Sequence, residues 1–169
     1  MPETPPVGHA RPLRGDDTAA VIALIGGVYA EYPGCVLDLP GVDADLPRLR
    51  DAVEEAGGAF WVVERDREVV ACAGWAPHPV DGRPGGELKR LYVRADQRGS
   101  GLGRWLVERV ERAAAEAGAE TIELWSDTRF LDAHRLYTRL GYAPTGETRE
   151  LHDPSDTTEY RFVRDLPPA

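Results

Sequence analysis

The stretch from Glu87 to Gly103 constrains the fold more than any other part of the sequence. Glu87–Val93 predicts a strand, Arg98–Gly103 is a glycine-rich turn, and apolar residues then recur at helical spacing to about Ala117. A helix that begins directly after such a turn leaves its first backbone N–H groups without partners, and these groups bind phosphate. The sequence therefore predicts a strand–turn–helix unit that binds a phosphate-bearing cofactor.

The rest of the pattern predicts an α+β domain built around this unit. Successive strands without a helix between them favour antiparallel pairs, whereas the strand–helix–strand unit over 87–125 requires a parallel pair. We expect a mixed, mostly antiparallel sheet of six to seven strands flanked by about four helices. The predicted strands are 11–14, 59–64, 69–75, 87–93, 121–125, 142–151 and 158–163, and the predicted helices are 16–29, 46–56, 101–117 and 131–140. Asp16 or Asp17 is expected to cap the first of these helices. Residues 1–8 are predicted to be a flexible tail, and 9–165 a single domain.

Charge and composition exclude several classes of protein. The net charge of −9 disfavours nucleic acid as a partner, because phosphate backbones require clustered Lys and Arg. No apolar run is long enough to cross a bilayer, and the N-terminus lacks the basic and apolar regions of a secretory signal. Cys35 and Cys72 have no metal-ligand spacing, so no metal is expected. These features favour a cytoplasmic protein with no membrane partner.

Two common phosphate-binding motifs fail at the glycine turn. A Walker A loop requires Gly-x-x-x-x-Gly-Lys-Ser/Thr, which this sequence lacks. A dinucleotide fingerprint requires Gly-x-Gly-x-x-Gly, and Gly99 and Gly101 supply only its first two glycines because the third position is Arg104. The turn therefore matches neither the Walker A motif nor the dinucleotide-binding motif.

A different pattern fits the turn together with a second segment. Arg98-Gly-Ser-Gly-Leu-Gly103 is an Arg-x-x-Gly-x-Gly turn, and Leu136-Tyr-Thr-Arg-Leu-Gly-Tyr142 follows it at a distance. Together they resemble the GNAT family of acyl-CoA N-acyltransferases, most strongly over residues 87–142. The resemblance implies the GNAT fold and acetyl-CoA as cofactor. One departure is Phe130, which stands where many family members have Asn, seven residues before the Tyr.

The resemblance also assigns residues to the cofactor. The turn would hold the pyrophosphate of coenzyme A, and the preceding strand would face the cofactor, with the N–H of Val93 as donor to the thioester oxygen. The residues that the resemblance implies are Leu91, Tyr92, Val93, Arg98, Gly99, Ser100, Gly101, Leu102, Gly103 and Tyr137.

The implied reaction is acyl transfer to an amine, which requires a base and an acid. An amine is protonated at neutral pH and must lose a proton before it attacks. Glu87 is the candidate base because some family members have a catalytic Glu at that position, although it is equally well an ordinary carboxylate at a strand start. Tyr137 is the candidate acid that donates to the leaving sulfur. His134 lies one helical turn from Tyr137, and we favour a structural role for it.

The acceptor side is less clear from the sequence. Tyr29, Glu31, Tyr32 and Asp127 give aromatic and acidic character, which suits a small cationic amine or amino acid. We therefore predict an acetyl-CoA-dependent N-acetyltransferase that acts on a primary amine of a small molecule or amino acid. A catalytically silent acyl-CoA-binding sensor is the alternative, and a homodimer is possible.

Overall fold

One seven-stranded sheet organises the chain in the computed structural model, which describes residues 2–168. The sheet order is β1-β2-β3-β4-β5-β7-β6, and every neighbouring pair is antiparallel except β4 and β5. The strands are β1 His9–Pro12, β2 Ala59–Arg65, β3 Glu68–Pro77, β4 Gly85–Val93, β5 Thr121–Asp127, β6 Ala143–Glu150 and β7 Thr158–Asp165. The helices are α1 Thr18–Tyr29, α2 Leu49–Glu55, α3 Leu102–Glu116 and α4 Leu131–Arg139. The predicted fold class is confirmed, including the parallel pair.

Some predicted boundaries were wrong near the N-terminus. The first strand begins at His9 rather than at residue 11, because its backbone pairs with β2 from Glu64 onward. Asp17 does not cap α1 with its side chain; its carboxylate instead accepts hydrogen bonds from Arg11 and from the Arg14 N–H. These contacts connect the first strand to the turn that leads into α1.

The segment before β1 lies against α3. The carbonyl oxygen of Pro2 accepts a hydrogen bond of 2.9 Å from the indole nitrogen of the buried Trp105. Met1, the first residue of the predicted tail, lies outside the described residues. The tail and the domain boundary at residue 9 stay predictions.

Apolar side chains pack on both faces of the sheet. Because alternate residues of a strand point to opposite faces, Trp61 and Val63 pack with α3, whereas Phe60 and Val62 pack with α1. The buried residues of α3 recur at helical spacing: Leu102, Trp105, Leu106, Val107, Val110 and Ala114. This packing fixes the first turn of α3 next to the end of β4.

The sheet opens between its two parallel strands. Gly85, Gly86 and Glu87 of β4 pair with residues 121–123 of β5, and no further pair between these strands occurs within residues 2–168. β4 nevertheless continues to Val93 and β5 to Asp127. The backbone of β4 beyond Glu87 therefore presents unpaired groups to a wedge-shaped gap, where a ligand can satisfy them.

Candidate active site

The gap between β4 and β5 leads into a cleft of about 480 Å³. The α1 side, the loop before α2, and strands β3 to β7 contribute to its walls. Of the predicted site residues, the cleft is lined by Tyr29, Glu87, Leu91, Tyr92, Asp127 and Tyr137. The structure thus brings the candidate base and the candidate acid to one cleft.

The glycine turn places free backbone N–H groups at the start of α3. Gly99 has φ of 77° and Gly101 has φ of 87°, a left-handed conformation that side chains disfavour. The first hydrogen-bonded amide of the helix is that of Trp105, which donates to Gly101 O at 3.0 Å. Within the described residues, the N–H groups of 99–104 have no protein acceptor. This arrangement fits the binding of a phosphate group.

Gly103 and Ser100 have separate roles in the turn. A Cβ atom at Gly103 would lie 3.1 Å from Cδ2 of Leu136, so a glycine lets α4 pack closely on α3. The hydroxyl of Ser100 donates to the carbonyl of Gln97 at 2.7 Å, which closes the turn from within. The glycines therefore shape the turn, and Gly103 also lets Leu136 of α4 lie against the first turn of α3.

Arg98 is already engaged by protein groups. Its Nε donates to the Val93 carbonyl at 3.0 Å, and its two Nη atoms donate to the carboxylate of Glu31 at 2.7 Å each. The guanidinium therefore joins the end of β4 to the residues after α1. Glu31, predicted to contact substrate, is held by Arg98 and does not line the cleft in the described residues.

Tyr137 is a buried phenol that reaches the cleft. Its side chain is 5% exposed, and its ring packs beside Tyr142 and Phe162. Burial raises the pKa of Tyr137 well above its ordinary value, and the nearby Tyr92 adds to that shift. Its hydroxyl has no hydrogen-bond partner within residues 2–168, so its proton is available to a ligand in the cleft.

Glu87 is the least constrained acid in the same cleft. Its side chain is 19% exposed, and its closest cation is the Lys89 ammonium at 3.7 Å. Its neighbour in the parallel register, Glu123, is instead buried and receives Arg161 Nε at 2.6 Å and His78 at 3.0 Å. Glu87 is therefore positioned to accept a proton or a cationic amine.

The end of β4 is held by contacts from the loop before α2. Arg90 lies at an irregularity in the pairing of β3 with β4 and has φ of 56°. Its guanidinium donates to Asp43 at 2.7 Å and to Asp45. Next to it, the hydroxyls of Tyr92 and Tyr29 are 3.0 Å apart. These contacts hold the backbone of Leu91–Val93 at the edge of the gap.

Aromatic residues form the corner where the family commonly has Asn. The ring centroid of Phe130 lies 4.8 Å from that of Tyr32 and 6.1 Å from that of Tyr29. Asp127 does not supply a free polar group there, because Arg129 donates to both of its carboxylate oxygens. Phe130 therefore makes this corner apolar.

His134 is part of the packing between α4 and the sheet. Its Nε2 lies 3.1 Å from the Ser126 hydroxyl, and its ring packs against Phe162 and Tyr160. Burial lowers the pKa of His134, which favours the neutral ring. This environment supports the structural role over that of a base.

Sequence reasoning did not assign Trp125, Arg149 or Glu159 to the site, although all three line the cleft. They come from β5, β6 and β7, and the register of these strands brings them together. Period-two alternation could have placed each on a strand face. It could not have shown which strands are neighbours.

Comparisons with known proteins agree with this geometry. A family model described as acetyltransferase (GNAT) family matches residues 29–142. An uncharacterized N-acetyltransferase, YjgM, of Escherichia coli K12 is 32% identical over 78% of this chain and 80% of its own length. An amino-acid acetyltransferase of Azotobacter vinelandii is 38% identical over 60% of this chain, which spans only 22% of that protein.

The fold also matches solved structures. The structure of yncA, a putative acetyltransferase from Salmonella typhimurium with its cofactor acetyl-CoA, has a TM-score of 0.70 and 20% identity. The match covers 94% of this chain and 93% of that one. Separately, none of the helices within residues 2–168 combines the length and apolar character that a membrane crossing needs.

Proposed function

This chain belongs to the acetyltransferase (GNAT) family, and we propose that it moves an acetyl group to a primary amine of a small molecule or amino acid by direct attack on the thioester. The observation that supports this most is one cleft that holds a loosely paired carboxylate, Glu87, and a buried phenol, Tyr137, whose hydroxyl has no hydrogen-bond partner within residues 2–168. Acetyl-CoA supplies the activated acyl group.

Each residue has a role in this proposal. Glu87 accepts the proton of the acceptor ammonium, directly or through water, so that the neutral amine can attack. The N–H of Val93 donates to the oxygen that gains negative charge. Tyr137 donates a proton to the leaving sulfur, and its raised pKa keeps it protonated at neutral pH.

The turn is proposed to hold the pyrophosphate through its backbone. The amides of 99–103 are free and the turn has no side chains at Gly99, Gly101 and Gly103, which supports this role. Leu91, Tyr92 and Val93 would face the pantetheine arm. Arg98 would reach a phosphate only by sharing its guanidinium with Glu31, since Glu31 now occupies both Nη atoms.

Thiol release from acetyl-CoA across a panel of primary amines tests the proposal. We expect release that depends on the amine and an acetylated product of the corresponding mass. Tight binding of coenzyme A without turnover of any amine would instead favour a silent acyl-CoA-binding module.

A further inference from the structure

Arg149 of β6 is fixed at two points within the cleft. Its Nε donates to Oε1 of Glu159, directly opposite it on β7, at 3.1 Å. Its guanidinium carbon lies 4.4 Å from the ring centroid of Trp125, so the charge rests on an aromatic face. A carboxylate at one edge and a ring beneath it hold the planar group in a defined orientation.

The other edge of this guanidinium is free. Neither Nη atom of Arg149 has a hydrogen-bond partner among residues 2–168, and the side chain is 42% exposed in the cleft wall. Two parallel N–H donors in a fixed plane match the two oxygens of a carboxylate. Holding the group in advance lowers the entropy cost of binding such a ligand.

The other cations of the cleft do not offer the same site. Arg90 donates one Nη atom to Asp43 and the other to Asp45. Lys89 is a flexible ammonium, 51% exposed, whose nearest carboxylate is that of Glu87. Arg149 is therefore the lining cation, within the described chain, whose forked donors are both oriented and available.

Glu87, the residue proposed to accept the proton of the amine, lies on the same face of the sheet as Arg149. Both residues line the cleft. Glu87 pairs in register with Glu123 of β5, and Trp125, whose ring lies beside the Arg149 guanidinium, is two residues further along β5. Because residues two apart on a strand point to the same face, Glu87 and the Arg149–Trp125 pair face the same side of the sheet within one cleft.

We infer that Arg149 binds a carboxylate of the acceptor, and that the acceptor is therefore a free amino acid whose amine faces Glu87. Glu159 and Trp125 are positioning residues for Arg149. This inference rests on the proposed function, because it names the substrate class of the same site. It predicts poor use of amines without a carboxylate, including the N-termini of peptides.

The test compares amino acids with their own carboxamides as acceptors. Each pair carries the same side chain and differs in the charge of one group. We expect at least one amino acid to exceed its carboxamide by about tenfold or more in kcat/KM, as a charge-assisted bidentate pair predicts. The acetyl-CoA concentration is kept saturating, so that only the acceptor site is compared.

Variants of Arg149 connect this preference to the residue. R149Q should raise KM for the amino acid by about 10- to 100-fold, with kcat and KM for acetyl-CoA nearly unchanged. R149K should raise KM for the amino acid less than R149Q does, because lysine keeps the positive charge but lacks the two parallel N–H donors of arginine. The double variant R149Q/E159Q leaves no unpaired carboxylate on Glu159 and should show the same loss as R149Q, which separates substrate binding from folding.

Arg83→Gln is the matched control. Arg83 is 47% exposed and pairs with Asp165 at 2.6 Å, but it does not line the cleft. The R83Q variant should leave kcat and the KM values for the amino acid and for acetyl-CoA unchanged. Equal use of carboxamides and amino acids, or an R149Q enzyme with an unchanged KM, would overturn the inference and leave the acetyltransferase proposal standing. Failure of every amine, with or without a carboxylate, would overturn both.

Discussion

Tyr137 and Glu87 both line the cleft, but their environments differ. Tyr137 is buried among aromatic rings, so its charged form is disfavoured and its pKa is raised. Glu87 is partly exposed and, among residues 2–168, forms one loose ion pair, with the Lys89 ammonium at 3.7 Å, so its carboxylate stays accessible. The surroundings of Tyr137 keep it protonated at neutral pH, as a proton donor must be, and those of Glu87 leave its carboxylate accessible to a proton donor.

Replacing Tyr137 by Phe removes the hydroxyl and retains the packed ring. We expect kcat to fall by about 10²- to 10⁴-fold, the usual contribution of a positioned acid, with little change in the affinity for coenzyme A. Steady-state kinetics and a separate binding titration measure the two effects. Equal losses in turnover and affinity would remove Tyr137 from the role of acid.

The pH dependence of kcat provides a second test of Tyr137. Because the pKa of Tyr137 lies above its ordinary value, the phenol stays protonated to above about pH 10. The wild-type enzyme should therefore show no descending limb of kcat that depends on Tyr137 below that pH. A limb near pH 9 that disappears in Tyr137→Phe would contradict this environment.

Replacing Glu87 by Gln should lower kcat and keep the fold. The loss should be about 10²-fold or more at neutral pH, and it should diminish as pH rises toward the pKa of the acceptor amine, because the free amine then needs no base. Rates measured over a range of pH check this. The ordinary-carboxylate interpretation of Glu87 predicts unchanged rates.

At the scale of elements, the turn between β4 and α3 has two structural consequences. Its left-handed glycines expose the first amides of α3, and Gly103 lets Leu136 of α4 lie close to α3. Arg98 of the same turn pairs with Glu31, which follows α1. A change of backbone there therefore affects both the exposed amides, where we propose that the pyrophosphate binds, and the packing of α4.

Gly101→Ala tests the turn against a matched glycine at the other end of α3. Gly101 and Gly118 have φ of 87° and 90°, and in each case an added Cβ would meet open space or a contact no closer than 3.8 Å. Each alanine should cost about 1–2 kcal/mol of stability. KM for acetyl-CoA should rise for Gly101→Ala alone, as measured by initial rates. An equal rise for Gly118→Ala would assign the effect to general destabilisation.

At the scale of the whole molecule, the gap between β4 and β5 divides the sheet into two halves. Within the part of the chain that the structure describes, the halves β1–β4 and β5–β7 share backbone pairs at three positions, and helix α3 packs against β3 and β4 beside the gap. Ion pairs also stabilise the half that contains β1–β4, although the chain has a net charge of −9. There, the guanidinium of Arg11 lies 2.7 Å from the Asp17 carboxylate and 3.0 Å from that of Glu64.

Asp17 makes part of this stability depend on pH. The hydrogen bond from Arg11 lowers the pKa of Asp17 in the folded state. A carboxyl group with a lowered folded pKa stabilises the protein above its unfolded pKa of about 4, and that contribution is lost as pH falls through the folded value. Asp17→Asn should therefore cost about 1–3 kcal/mol at pH 7 and progressively less as pH falls below about 4. Urea unfolding over a series of pH values measures it, with the exposed neighbour change Asp16→Asn as control; a cost independent of pH would exclude the ion pair as its cause.

The sequence by itself determined most helices and strands, the family and the cofactor, acetyl-CoA. Apolar periodicity placed α3 and most strands, because a residue's burial repeats with the geometry of its own element. The Arg98–Gly103 turn and Tyr137 were recognisable because their chemistry lies within short, continuous segments. The errors at β1 and Asp17 arose where a distant partner, Glu64 or Arg11, set the local structure.

Only the tertiary structure brought together the residues of the proposed acceptor site. Arg149, Glu159 and Trp125 are neighbours because β6, β7 and β5 pair in a particular register. Glu31 turned toward Arg98 for a similar reason, since their contact joins segments far apart in sequence. Such pairings depend on strand order and side-chain packing across the whole domain. No periodicity within a single segment encodes them.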